Sequence, residues 1–177
     1  RLAGQRGRRL AHPIRLHGTD FCGWLIHGGH LIAALCGTLV STAFSAPVQW
    51  TIASGGNGHY YDFIDASVDW DAAFSAAHGS TYLGMGGYLA TVTSTAENAF
   101  INSSGVANGR LAWLGGSDHS AVAANQWTWR DGPEAGQAFS FTNWSPGEPN
   151  NCCGGEDYLQ INWATSAGTW NDHGGPG

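Results

Sequence analysis

The sequence predicts an α+β domain in which two short helices sit among antiparallel strands, followed by one long stretch of irregular backbone. Apolar residues recur at helical spacing in only two places. Short stretches rich in aromatic and β-branched residues lie on either side of them. Residues 131–155 follow neither period and hold Pro133, Pro146 and Pro149 among many turn-forming residues.

Taken in order, residues 48–53 alternate, Gly55-Gly56-Asn57-Gly58 supplies a turn, and residues 59–64 return, which predicts a hairpin. Asp69 then stands at an N-cap position. Trp70, Ala73, Phe74 and Ala77 follow at i, i+3, i+4 and i+7, predicting a helix closed by Gly79. Residues 87–92 are expected to form a strand. Ser94-Thr95-Ala96-Glu97 has the form of a capping box and opens a second helix through Ile101. Strands are expected at 111–114, 126–129, 158–162 and 169–170. A loop as long as 131–155 is uncommon in a compact domain unless it is functional or disordered, and its Trp144 and carboxylates favour function.

Composition narrows the function. Five of the seven Lys and Arg residues are arginines within the first fifteen positions. From Ala46 onward two arginines face twelve carboxylates, a net charge of −10. Such a surface repels nucleic-acid phosphates and suits cations or neutral ligands. The basic start is followed by a ten-residue, mostly apolar run at 31–40, and Ala43-Phe44-Ser45 resembles a small-residue cleavage site. Together these describe a signal peptide, with a run too short to span a bilayer. Residues 1–45 are therefore expected to be a removed leader and residues 46–177 the mature domain, secreted or at the cell surface. Cys22 and Cys36 fall in the leader, leaving Cys152 and Cys153 side by side. That pair can close a ring on itself, stay reduced, or bridge to another chain.

The acids of the long loop set the candidate chemistry. Glu148, Asn150, Glu156, Asn171 and Asp172 offer carboxylate and amide oxygens, the donors that calcium prefers. On composition alone a solvated turn region is the favoured description of them. His59, His78, His119 and His173 are scattered without zinc-ligand spacing. There is no G-x-S-x-G, H-E-x-x-H or phosphate loop, so no enzyme is expected. Glu148 and Glu156 could mimic a glycosidase pair, but they suit a cation cage better.

Several segments, in order across residues 58–172, resemble the C-type lectin domain. They are Trp70, Gly87-Tyr88-Leu89-Ala90-Thr91-Val92, Ala112-Trp113-Leu114-Gly115 and Trp127-Thr128-Trp129-Arg130-Asp131-Gly132. Asn143-Trp144 through Glu148-Pro149-Asn150-Asn151, Gly155-Glu156-Asp157-Tyr158 and Trp170-Asn171-Asp172 complete the series. The resemblance implies a C-type lectin-like fold with a long calcium-binding loop. It further implies calcium held by Glu148, Asn150, Glu156, Asn171 and Asp172, beside a cis peptide before Pro149. Glu148, Asn150, Glu156 and Asn171 would also bond sugar hydroxyls, and the E-P-N form resembles the mannose-type subset. The implied partners are glycans or glycoconjugates. A protein-binding or adhesive module of the same fold, with calcium purely structural, is the alternative. The tryptophans at 70, 113, 127 and 170 are implied to be core, with Trp144 either packed or facing a ligand. Asp118 matches one ligand of an auxiliary ion, but Val122 and Asn151 stand where further acids are expected. The family's usual disulfide positions are taken by Ala76 or Ala77, Tyr158 and Gly175. The family's final strand is expected to be missing, which would leave the edge at 59–64 unpaired.

Overall fold

The computed structural model describes residues 12–15, for which the backbone alone is considered, together with 46–119 and 126–174. The cleavage site, Cys22, Cys36, Val122 and Gly175 lie outside the described residues. Among the described residues, no helix is long and apolar enough to cross a membrane.

Among the described residues there are nine short strands and two α-helices: β1 (His12–Arg15), β2 (Val48–Gln49), β3 (Tyr60–Phe63), α1 (Trp70–His78), β4 (Thr81–Tyr82), β5 (Met85–Gly86), α2 (Thr95–Ile101), β6 (Ala112–Ser117), β7 (Thr128–Trp129), β8 (Tyr158–Ile161) and β9 (Trp170–His173). The main sheet runs β2-β3-β1-β6-β8-β9, with β7 joining β6, and β4 and β5 form a separate hairpin. The α+β class and both helices agree with the sequence.

Both helices begin where their caps predict. Asp69 accepts from the Ala72 N–H at 2.7 Å, and Ser94 accepts from the Glu97 N–H at 3.2 Å. Each cap satisfies one of the amides that a helix start leaves open. Helix α1 buries Trp70, Ala73 and Ala77. Two indoles fix it against β6: Trp70 Nε1 donates to the Leu114 carbonyl at 2.8 Å, and Trp113 Nε1 donates to the Val68 carbonyl at 2.9 Å.

The first hairpin forms with Val48 opposite Tyr61 and Gln49 opposite Tyr60. Its first strand stops early because Thr51 caps a short 3-10 turn over Ile52–Ser54. Residues 87–92 differ from expectation: they are largely buried but join no ladder. Strand β6 has β8 on one edge, and β1 and β7 share the other. The Gly115 N–H reaches this segment, donating to the Ala90 carbonyl at 2.9 Å. The approach requires glycine, since a Cβ on Gly115 would lie 2.7 Å from the Leu89 carbonyl oxygen.

The edge at 59–64 is not left open. Strand β1 sets Ile14 opposite Phe63 and Arg15 opposite Asp62, antiparallel to β3. Its first half pairs with β6 in parallel, His12 with Ala112 and Pro13 with Trp113. The expectation of an unpaired strand is thereby corrected. Unsatisfied backbone groups at a sheet edge favour pairing with any extended chain within reach, and here residues 12–15 fill that place.

Val92, Ile101, Leu114, Trp129, Leu159, Ile161 and Trp170 belong to the larger of the two core clusters. Trp170 ties the long loop to it. Its N–H donates to the Asn143 carbonyl and its carbonyl accepts from the Ser145 N–H, both at 2.8 Å. The indole Nε1 donates to Asn98 Oδ1 on α2 at 2.8 Å.

Candidate functional site

The loop leaves this stem at Trp144 and turns back at once, the Glu148 N–H reaching the Ser145 carbonyl at 3.0 Å. The Glu148–Pro149 peptide is cis, as the resemblance implies. Beyond it the chain folds over β9, where Asp172 is fully buried. Both Asp172 carboxylate oxygens are engaged: Oδ1 accepts from the Asn150 N–H at 3.1 Å and Oδ2 from the Asn151 N–H at 2.7 Å. The returning part of the loop is drawn in by Glu156. Its N–H donates to Asn151 Oδ1 at 2.8 Å, and its Oε2 accepts from the Cys152 N–H at 3.0 Å. The same Cys152 N–H reaches Asn150 Oδ1 at 2.9 Å.

Glu148 completes the group as a carboxyl close enough to Asp172 and Glu156 for both acids to act on it. Desolvation pushes its carboxyl up to about 7, with Asp172 and then Glu156 adding to the rise. Desolvation also raises Glu156, and the Cys152 amide partly opposes it. One Glu148 oxygen, Oε2, is buried with no hydrogen-bond partner.

Three of the five sequence-predicted residues, Asn150, Glu156 and Asp172, are thus joined by hydrogen bonds to neighbouring main-chain amides, and Glu148 lies against Asp172. Asn171 lies beside them on β9, but its side-chain amide is turned to the main-chain carbonyl of Asp172. Among the described residues, no three His, Cys, Asp or Glu side chains already stand arranged to hold a metal ion. The chemistry of the donor set nevertheless fits a hard cation. It consists wholly of carboxylate and amide oxygens, and a buried acid oxygen lacks any donor. Three carboxylates held this close repel one another, and a cation would relieve that repulsion.

Two features lie beyond what the motifs indicate. Cys152 and Cys153 are bonded to each other, the first of the three alternatives the sequence leaves open. On the far side of Pro149 lies a cavity of about 570 Å³ lined by Trp127, Thr128, Phe139, Thr142 and Trp144. Trp144 is only half-buried and packs edge-on to Trp127, with ring centroids 5.0 Å apart. Trp70, Trp113, Trp127 and Trp170 are core, as expected. A cluster of aromatic residues in the loop is the only sequence signal for the cavity.

A binding module with a long loop folded over a buried carboxylate is the class that these features define. The family model of the lectin C-type domain matches residues 68–174, and the chain belongs to that family. Halomucin of Haloquadratum walsbyi (strain DSM 16790 / HBSQ001) is 37% identical over 125 residues, covering 66% of this chain and 1% of halomucin. Ladderlectin of Oncorhynchus mykiss is 39% identical over 113 residues, 62% of this chain and 53% of ladderlectin. The chain thus spans little more than half of ladderlectin and a small fraction of halomucin. Among solved structures, the C-type lectin CEL-I from Cucumaria echinata superposes with a TM-score of 0.52 at 25% identity. That match covers 64% of this chain and 80% of CEL-I.

Proposed function

We propose that residues 46–177 form a secreted or cell-surface module that binds neutral glycans through a calcium ion. Glu148, Asn150, Glu156, Asn171 and Asp172 would hold the ion. The observation that carries this reading is the buried Glu148 Oε2, without a donor and beside two further acids. Membership of the lectin C-type family supports it. Bound calcium would supply open coordination positions for two neighbouring sugar hydroxyls. The side chains of Glu148, Asn150, Glu156 and Asn171 would orient those hydroxyls, each acid oxygen accepting a hydroxyl proton and each amide nitrogen donating to a hydroxyl oxygen. Equatorial 3- and 4-hydroxyls, as in mannose or glucose, suit the E-P-N pattern.

A glycan array probed with and without chelator tests the proposal. Binding to mannose- or glucose-type glycans that vanishes in chelator is expected. The double substitution Glu148→Gln with Asn150→Asp should move the preference toward galactose. Calcium-dependent thermal stabilisation without glycan binding would replace this reading with a structural-calcium module. No response to calcium at all would remove the site.

A further inference from the structure

Cys152 and Cys153 lie inside the loop that carries the candidate ligands, and their bond has no part in the reading above. The Cys152 N–H donates to two of those ligands at once, Asn150 Oδ1 at 2.9 Å and Glu156 Oε2 at 3.0 Å. A single amide therefore orients an amide ligand and an acid ligand, and it belongs to one half of the disulfide. The backbone around it is unusual. Asn151 has φ 46° and Cys153 φ 61°, followed by Gly154 at 106° and Gly155 at 123°. Residues with a Cβ seldom adopt the left-handed region, because the Cβ crowds the following carbonyl. An unconstrained loop would have more favourable arrangements open to it. A bond between adjacent cysteines closes a small ring that includes their shared peptide, which removes most of those alternatives.

We infer that the Cys152–Cys153 disulfide is a positioning element of the cation and sugar site, holding Asn150 and Glu156 in ligating orientation only while oxidised. The inference rests on the reading that these two side chains ligate a cation. Cys153 is exposed and Cys152 half-buried, so a dithiol can reach the bond. Reduction breaks the S–S bond and delivers two electrons and two protons, giving two thiols while the dithiol becomes a disulfide. In an oxidising compartment the ring stays closed.

The test uses the full chain carrying Cys22→Ser and Cys36→Ser, so that the vicinal pair is the only reducible bond. Calcium affinity is measured by calorimetry for the oxidised protein and in dithiothreitol, with reduction verified by mass. Amide exchange at Cys152 and Glu156 is followed in chelator. Reduction should weaken calcium binding roughly 10-fold or more, the scale seen when groups that orient metal ligands are lost. It should also speed exchange at both amides. Adding Cys152→Ser and Cys153→Ser should reproduce the reduced protein and abolish the effect of dithiothreitol. Equal calcium affinity and equal exchange in the oxidised and the verified reduced forms would overturn the inference. Absence of calcium binding in both forms would overturn the cation reading beneath it. Exchange would then judge the ring alone: unchanged rates overturn its positioning role, and faster rates on reduction uphold it.

Discussion

Burial lifts the Glu148 carboxyl to about 7 from an ordinary 4.5, so the cation-free fold binds a proton there that the unfolded chain releases. A carboxyl raised on folding contributes stability below its unfolded value and loses it as pH climbs through the folded one. In chelator, the melting temperature should therefore fall between about pH 5 and about pH 7.5, and Glu148→Gln should flatten that fall. Saturating calcium should remove it in the parent protein, because an ion bound only to the fold stabilises it by mass action. Identical pH slopes for the parent and Glu148→Gln in chelator would show that this acid is not the source. Glu97 is a different kind of buried acid, because the fold meets its needs without a cation. Its oxygens accept from Asn57 Nδ2 at 2.9 Å, the Tyr61 hydroxyl at 2.6 Å, and the Thr93 N–H and Oγ1 at 2.7 and 2.9 Å. Glu97→Ala leaves several donors buried and unpaired and should cost about 3 kcal/mol or more in urea unfolding. A loss below about 1 kcal/mol would mean that those donors find other acceptors.

Elements whose signals are local were legible in the sequence, and the caps show why. Asp69 and Ser94 each act on an amide three residues away, so pattern and mechanism occupy the same few positions. Ser94→Ala should accordingly cost about 1 kcal/mol, read as a shift in the urea midpoint. The hairpin of β4 and β5 was not legible because its two-residue turn puts Leu83 at φ 50° beside Gly84 at 79°. A leucine is an unusual choice there, and only the surrounding fold selects it. Residues 87–92 misled for another reason. They have strand composition, but whether a ladder forms depended on which edges of β6 were already taken. In the site, the candidate residues were legible as a motif. Their cross-links were not, since the bonds from Asn150 and Asn151 to Asp172 span more than twenty positions and rely on the left-handed Asn151.

At the scale of the whole molecule, two readings of the first residues compete. A leader that is cut away cannot also supply β1, which lies between β3 and β6. Removing residues 1–45 would expose Tyr60–Phe63 on one side and the start of β6 on the other, two open edges of the kind that recruit other chains. Amide exchange across Tyr60–Phe63 should be slower in the full chain than in residues 46–177, and the shorter chain should aggregate at lower concentration. Equal protection in both would show that β3 finds another partner when β1 is gone.

The same strand has a kinetic consequence. Pairing Ile14 with Phe63 closes a loop of about fifty residues, and pairing His12 with Ala112 closes one of about a hundred. Closing such loops costs chain entropy before any contact forms, and β1 offers few backbone bonds in return, Pro13 having no N–H to give. The helices and the β8-β9 pairing, whose contacts are more local, should assemble first. Strand β1 should dock late, and on unfolding it should leave early. A substitution there would then act mainly on the unfolding rate and leave the folding rate nearly unchanged.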